Sequence, residues 1–465
     1  VSSSPSAPSW SKAPERALLK LAGPLVLQLV SFSMMSVVDT LFVGRLGEAA
    51  LAAVGLGSMF VLTVSSFGQS VLSACRMLVG QAVGRRDQAE IDRLLGVFLR
   101  LGLGLGFVSF LVALGSAALL PWMAADPETG AQGARYAAIR GLGIPAILAS
   151  AALGQWLTGQ SWASAPMRAA IVANVVNVPL NAIFLFVFGL GTDGSALATA
   201  IAHGVELLVL LMAAKEALGA SGGRRVGLWK GAWRASNAEA MALLRLGTPM
   251  GAERVLDMMA FAAVPLLLSY AGSAHVAAHQ ITLQVSLFAF LPLIALSDAA
   301  SVLTAQAFGA RSYSLIRRIN QAGVWLAVGF AVLFSTTCVL LRLPIARAFT
   351  HEPTVVAATT PALIGTASIQ MANAAYNILK GTLRGLGDFH FVAWCAVLCA
   401  WIVTPPLTYL WSVQGTMGAS GAWAAIFVEV TIGLAIIALR TKKKLAELGD
   451  DESIAPLSLS ETEAM

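Results

Sequence analysis

Apolar runs of about twenty residues recur along nearly the whole of this chain, separated by short polar or basic stretches. A helix of that length just crosses the hydrocarbon of a bilayer, which is about 30 Å thick. Such runs cover 17–43, 50–75, 94–121, 136–157, 166–188 and 194–214, then 243–270, 275–304, 320–343, 361–383, 392–412 and 418–439. The expected fold class is therefore an all-α integral membrane protein of about twelve transmembrane helices. Only 12% of the residues are charged, against about a quarter in soluble domains.

The same pattern excludes several functions. The formal net charge of +6 is scattered between apolar blocks, with no basic face interleaved with aromatics, so nucleic acid is not an expected partner. Cys75, Cys338, Cys395 and Cys399 lie within or beside apolar segments, without zinc-finger spacing or a disulfide framework. His275 and His279 are four residues apart but lack the glutamate of H-E-x-x-H and a third ligand. GLGLG (102–106) sits inside an apolar helix and is no phosphate loop. Neither ATP hydrolysis nor an enzyme activity is expected, and no cofactor beyond a coupling ion.

Orientation follows from lysine and arginine. One set of helix ends carries clusters such as Lys12/Arg16/Lys20, Arg85/Arg86/Arg93/Arg100, Lys215 to Arg245, Arg311/Arg317/Arg318, Lys380/Arg384 and Arg440 to Lys444. The opposite ends hold Arg45, Arg135, Arg140, Arg342 and Arg347. Both termini are thus expected in the cytoplasm, with the chain in a cell's inner membrane. Residues 1–16 read as a disordered segment lacking the apolar core of a cleaved signal peptide, so the first helix is expected to be retained.

The chain also resembles itself. Shifted by 225 positions without gaps, 18–93 falls on 243–318 with 20 of 76 residues identical. LLKLAGP (18–24) meets LLRLGTP (243–249), and LVGQAVGRR (78–86) meets LTAQAFGAR (303–311). A shift of 226 lays GSALATA (194–200) over SGAWAAI (420–426). Two copies with an even number of helices have the same membrane orientation, a parallel repeat of the kind secondary transporters use. The expected organisation is an N-lobe (17–214), a cytoplasmic linker (215–242) whose GASGG is flexible in composition, a C-lobe (243–439) and a cytoplasmic tail (440–465).

Six strings then resemble the multidrug and toxic compound extrusion (MATE) family, in order and at matching spacing: VDTLFVGRLG (38–47), LVGQAVGRRD (78–87), NVPLN (177–181), LGTPMG (246–251), AAHQI (277–281) and GTLRGLGD (381–388). The branch they most resemble is bacterial and NorM-type. The resemblance implies a V-shaped, two-lobed exporter of organic cations and amphipathic toxins, driven by proton or sodium entry and functional as a monomer. It also implies that Asp39 is the N-lobe protonation residue and that Asp257, eight residues after Pro249, is the acid of the seventh helix. The chain departs from the pattern at Asn373, where the NorM type has an acid, and at Asp298, where it has a small residue.

Each ionisable residue inside a membrane is a site hypothesis by default. Asp39 could also be an interfacial carboxylate paired with Arg45. Glu253 and Asp257 stand at i and i+4 on one helix face. With Asp39 and Asn373 they form the candidate cation-coupling set, and Asp257, Glu253 and Asn373 are the only place for a possible sodium ion. Glu253 also adjoins Arg254, which leaves a purely structural pair open. Asn174, Asn177 and Asn181 around Pro179, with Gln280, Asp298, Tyr376 and Asn377, are candidate substrate-cleft residues; Gln370 shares the helix-ten face. Glu206 and Glu429 occupy mid-helix positions with no assigned role. The function expected is cation-coupled export. A lipid-linked precursor flippase is the transporter alternative and would want a more cationic cavity. An intramembrane enzyme is the alternative from another class.

Overall fold

The structure is a computed structural model, and it describes residues 10–220 and 236–450; residues 221–235 of the expected linker and the outer parts of both termini lie outside these bounds. The helices of the first half are α1 (Pro14–Gly44), α2 (Glu48–Arg85), α3 (Gln88–Ala117), the short α4 (Leu120–Met123), α5 (Pro127–Gly141), α6 (Ile144–Gly159), α7 (Ser164–Ala182) and α8 (Gly191–Ala220). The second half has α9 (Asn237–Ser269), α10 (Ser273–Gly309), α11 (Tyr313–Leu340), the short α12 (Arg342–Phe349), α13 (Pro353–Gly385), α14 (Phe389–Thr408) and α15 (Ala419–Asp450). No strand occurs among the described residues. In lipid each backbone N–H and C=O must find a partner within the protein, and a helix satisfies them all within its own segment.

Ten of these helices are long and apolar enough to cross a membrane, and α5 and α6, bent by 43° at their break, are so only when taken together. The run expected at 136–157 is broken at Leu142–Gly143, just before Pro145, which has no N–H to continue the ladder. The remaining long helix, α9, has 33 residues but carries Glu253, Arg254 and Asp257 within its apolar stretch. Length suits it to the membrane, and its charges need partners there.

The internal repeat is visible in backbone detail. Gly47 and Gly272, 225 apart, precede α2 and α10 with φ of 107° and 118°, values that a side chain would resist. Arg86 and Arg311, again 225 apart, follow α2 and α10 in the left-handed region with φ of 60° and 53°. Both α7 and α14 end in a π-helical turn, at Ile183–Val187 and Tyr409–Gln414. Each π turn follows an internal proline, Pro179 in one and Pro405–Pro406 in the other.

The helices form two compact units. One runs from Gly23 to Gly251; the other starts at Ala252 and takes in the chain up to Ala22. Small residues set the packing distance within each, as expected where lipid removes the hydrophobic incentive to associate. In α3, Gly102 and Gly106 face α6: a Cβ on them would lie 2.8 Å from the Leu148 carbonyl oxygen and 2.6 Å from Pro145 Cα. Gly104, between them, faces open space. GLGLG is thus a packing stripe. Trp156 of α6 is buried against α3 and donates its indole N–H to the Ile91 carbonyl at 2.9 Å. Large apolar side chains such as Leu41, Trp325, Ile402 and Leu439 stay exposed, as suits a surface facing acyl chains.

At its start, α1 docks inside the second unit: Trp10 Nε1 donates to Gln306 Oε1 at 3.0 Å, and Arg318 Nη1 donates to the Ser11 carbonyl. Residues 10–16, read from composition as part of a disordered segment, are therefore placed by contacts that composition does not contain. The start of α9 correspondingly meets α3, through a Glu239–Arg93 ion pair and an Asn237–Arg100 hydrogen bond.

Candidate transport sites in the two units

In the first unit, α1, α7 and α8 bring four polar side chains together. Asp39 is 7% exposed, and Asn177, Asn181 and Thr199 are fully buried. Asn181 Nδ2 donates to Asp39 Oδ1 at 2.8 Å, and Thr199 Oγ1 donates to Asp39 Oδ2 at 2.9 Å. Asn177 Nδ2 donates to Thr199 Oγ1 at 3.2 Å, while Asn177 Oδ1 accepts from Asn181 at 3.0 Å. The i, i+4 spacing of Asn177 and Asn181 puts both on one face of α7. Asp39 makes these bonds rather than a pair with Arg45, which is exposed. Its Coulombic partner is Arg140 of α5, which sequence reading had only as a basic residue at a helix end. Asn174 joins α7 to α1 instead, donating to the Ser31 carbonyl and hydroxyl at 2.5 Å each. Elsewhere on α8, Glu206 finds a buried partner in His203, with Nδ1 3.0 Å from Oε2.

In the second unit, one face of α13 carries Asn373, Tyr376, Lys380 and Arg384, spaced three or four apart. Lys380 Nζ donates to Glu253 Oε1 at 2.9 Å, and Arg384 Nη2 donates to Oε1 and Oε2 at 2.8 and 2.9 Å. The Lys380 ammonium also lies 5.0 Å from the centre of the Tyr376 ring. Glu253 thus forms an ion pair, with Lys380 and Arg384 rather than with the adjoining Arg254, which is exposed. Lys380 and Arg384, read from sequence as membrane-flanking charges, turn inward. Asp298 acts electrostatically on Arg384. Asp257, half-buried one turn beyond Glu253, lies within Coulombic reach of Lys380 and of Glu429. Glu429 Oε2 accepts from Thr404 Oγ1 at 2.6 Å.

Other candidates fall outside this group. Asn377 donates to the Asn373 carbonyl and side chain at 2.9 and 3.3 Å, and its own carbonyl accepts from Ser297 at 2.6 Å, tying α13 to α10. The Asn373 side-chain oxygen thus accepts one hydrogen bond from within its own helix. Gln280 is exposed, whereas His279 beside it is buried between the rings of Phe261 and Trp423, at 6.0 and 5.4 Å. Gln370 is fully buried in α13. Among the described residues no three His, Cys, Asp or Glu side chains gather as metal ligands.

The two copies of the fold carry the same family signature. The MatE family model matches residues 24–183 and 249–410, one stretch in each half of the repeat and together more than half of the chain. The chain belongs to the MatE family. As a member it is a multi-pass membrane transporter and not an enzyme. It is 25% identical over 455 residues to a probable multidrug resistance protein NorM of Mannheimia succiniciproducens, covering 95% of this chain and 96% of that one. The multidrug resistance protein MdtK of Pectobacterium atrosepticum is 27% identical over 438 residues, 92% and 95% of the two chains. A crystal structure of MATE in complex with MaL6 has the same fold, with a TM-score of 0.86 at 19% identity, covering 94% of this chain and 98% of that one. An outward-facing MATE family transporter of the MOP superfamily gives 0.86 at 18% identity, covering 94% and 97%.

Proposed function

We propose that this MatE-family chain is a secondary antiporter of the inner membrane, with both termini cytoplasmic. It exports cationic or amphipathic organic molecules by alternating access, in exchange for an inward-moving cation. The relatives named as multidrug resistance proteins support the cargo class, and the observation that carries the coupling is the enclosed Asp39 carboxylate with its two donors. A Thr hydroxyl has one proton to donate. Thr199 Oγ1 stands 2.9 Å from Asp39 Oδ2 and 3.0 Å from the Ser195 carbonyl. With Asp39 ionised, that proton goes to the carboxylate. Once Asp39 carries a proton, the carboxyl becomes a donor and the hydroxyl turns to Ser195. Loading one proton thereby rewires the link between α1 and α8, while Asn181 reports the same change to α7 beside its proline and π turn. In the second unit, Asp257 and Glu429 offer negative charge to a cationic cargo. Ethidium efflux from vesicles under a proton gradient or a sodium gradient, each imposed alone, tests the reading. Efflux under neither gradient would sink it.

A further inference from the structure

Glu253 has both carboxylate oxygens engaged by cations. Oε1 accepts from Lys380 Nζ and from Arg384, and Oε2 accepts from Arg384, all within 2.9 Å. The glutamate is 4% exposed and the lysine 9%. A lysine ammonium carries the same single charge as a sodium ion, and here it is covalently fixed to α13 by a helix position that turns it onto the acid. Tyr376 presents its ring face to the same ammonium at 5.0 Å, a second contact that a cation satisfies.

We propose that Lys380 is the resident cation of the second unit, its ammonium taking the place beside Glu253 that a coupling sodium would need. The unit is therefore closed to sodium, and the exchange runs on protons; this rests on the antiport reading above. The groups around the ammonium define the balance. α9 supplies Glu253, Asp257 and the exposed Arg254, and α13 supplies Tyr376 and Arg384, on which Asp298 of α10 acts in turn. From α14 come the thiols of Cys395 and Cys399 with the Thr404 hydroxyl, and from α15 comes Glu429. A hard cation is held by oxygens with free lone pairs; of the three residues expected to hold sodium, Glu253 already accepts from two cations on its two oxygens, and Asn373 Oδ1 already accepts one hydrogen bond from Asn377. A sodium ion approaching Asp257 would meet Lys380 as a like charge. If the ammonium stands in for an ion, removing it should restore ion binding. An arginine, which also keeps the charge, should not.

The test is sodium binding to purified full-length protein, read with radioactive sodium and as a sodium-specific rise in Tm against choline chloride. Wild type and Lys380→Arg are expected to show no saturable sodium binding. Lys380→Gln is expected to gain it, and Lys380→Gln with Glu253→Gln to lose it again. Lys380→Gln that folds only when sodium is present also supports the assignment. Saturable sodium binding by wild type overturns it, as does a Lys380→Gln protein that ignores sodium, whether folded or unfolded in both salts. Proton-driven ethidium efflux by wild type is measured in parallel. Its absence, with sodium binding as expected in every variant, would reject antiport and leave Lys380 standing as the resident cation.

Discussion

At the scale of single residues, the two halves of the repeat solve the problem of a buried acid differently. Asp39 is hydrogen-bonded by neutral donors, Asn181 and Thr199, and Arg140 acts on it through space, so a change of its charge breaks no hydrogen bond to an ion. Glu253 is held by two cations, Lys380 and Arg384. Asp39→Asn keeps the size and hydrogen-bonding capacity of the side chain but removes the titratable group. It should abolish proton-driven efflux of ethidium while the protein remains monodisperse on gel filtration. Efflux at the wild-type rate would remove Asp39 from the coupling step. Glu253→Gln should instead act on stability. It leaves Lys380 and Arg384 buried without their acid, a change that costs about 3–5 kcal/mol in buried ion pairs, and thermal unfolding in detergent would show it. Asp257→Asn should weaken binding of cationic cargo more than neutral cargo, because one attractive charge is lost where the effective dielectric is low. Equal loss for both cargos would point to a packing role.

At the scale of elements, close helix contact and helix ends decide the outcome. Gly102 and Gly106 let α3 approach α6, and Gly104 does not take part. Gly106→Ala should therefore cost about 1–3 kcal/mol through overpacking, whereas Gly104→Ala should be neutral or raise stability by about 0.5–1 kcal/mol through helix propensity. Paired melting curves for the two variants check this, and the opposite order would refute the packing stripe. At the start of α5, Asp126 accepts hydrogen bonds from the Thr129 hydroxyl at 2.6 Å and from the Thr129 and Glu128 amides at 2.9 and 3.3 Å. The Thr129 hydroxyl first, and then the two amides, hold its carboxyl below the ordinary value. A carboxyl depressed on folding stabilises above its unfolded pKa and loses that contribution as pH falls through the folded one. The protection factors of the amides at the α5 N-terminus, each taken against its intrinsic exchange rate at the same pH, should accordingly fall in acid, and Asp126→Asn should remove that fall.

At the scale of the whole molecule, each helix that begins a half of the repeat is shared. The start of α1 belongs to the unit that begins at Ala252, and α9 up to Gly251 belongs to the other. Arginine and lysine clusters at one set of helix ends predict the topology by the positive-inside bias. Single cysteines in residues 221–235 and near both termini should label from the cytoplasmic side, and those in 126–133 only from outside. Cytoplasmic labelling of 126–133 would invert the assignment.

Solvent, helix count, internal repeat and family were all legible in the sequence, because each is a sum over local windows or a match of ordered strings. Apolar runs of sufficient length choose lipid, and the offset of 225 reappears in Gly47/Gly272 and Arg86/Arg311. The polar face of α7 was legible too, since Asn177 and Asn181 lie one turn apart. What the sequence did not contain is which way the other helices face. The polar face of α13 runs on from Asn373 and Tyr376 to Lys380 and Arg384, but the last two stand near the helix end and so looked like charges at a membrane edge, and spacing does not say what that face packs against. Thr199, an ordinary residue in GSALATA, gave no sign that it would donate to Asp39, 160 positions away. Only the packing of α13 against its neighbours in the second unit rotates two cations onto Glu253. The spacing within one helix cannot state the rotation of another, and that rotation decides whether an acid meets neutral donors or cations.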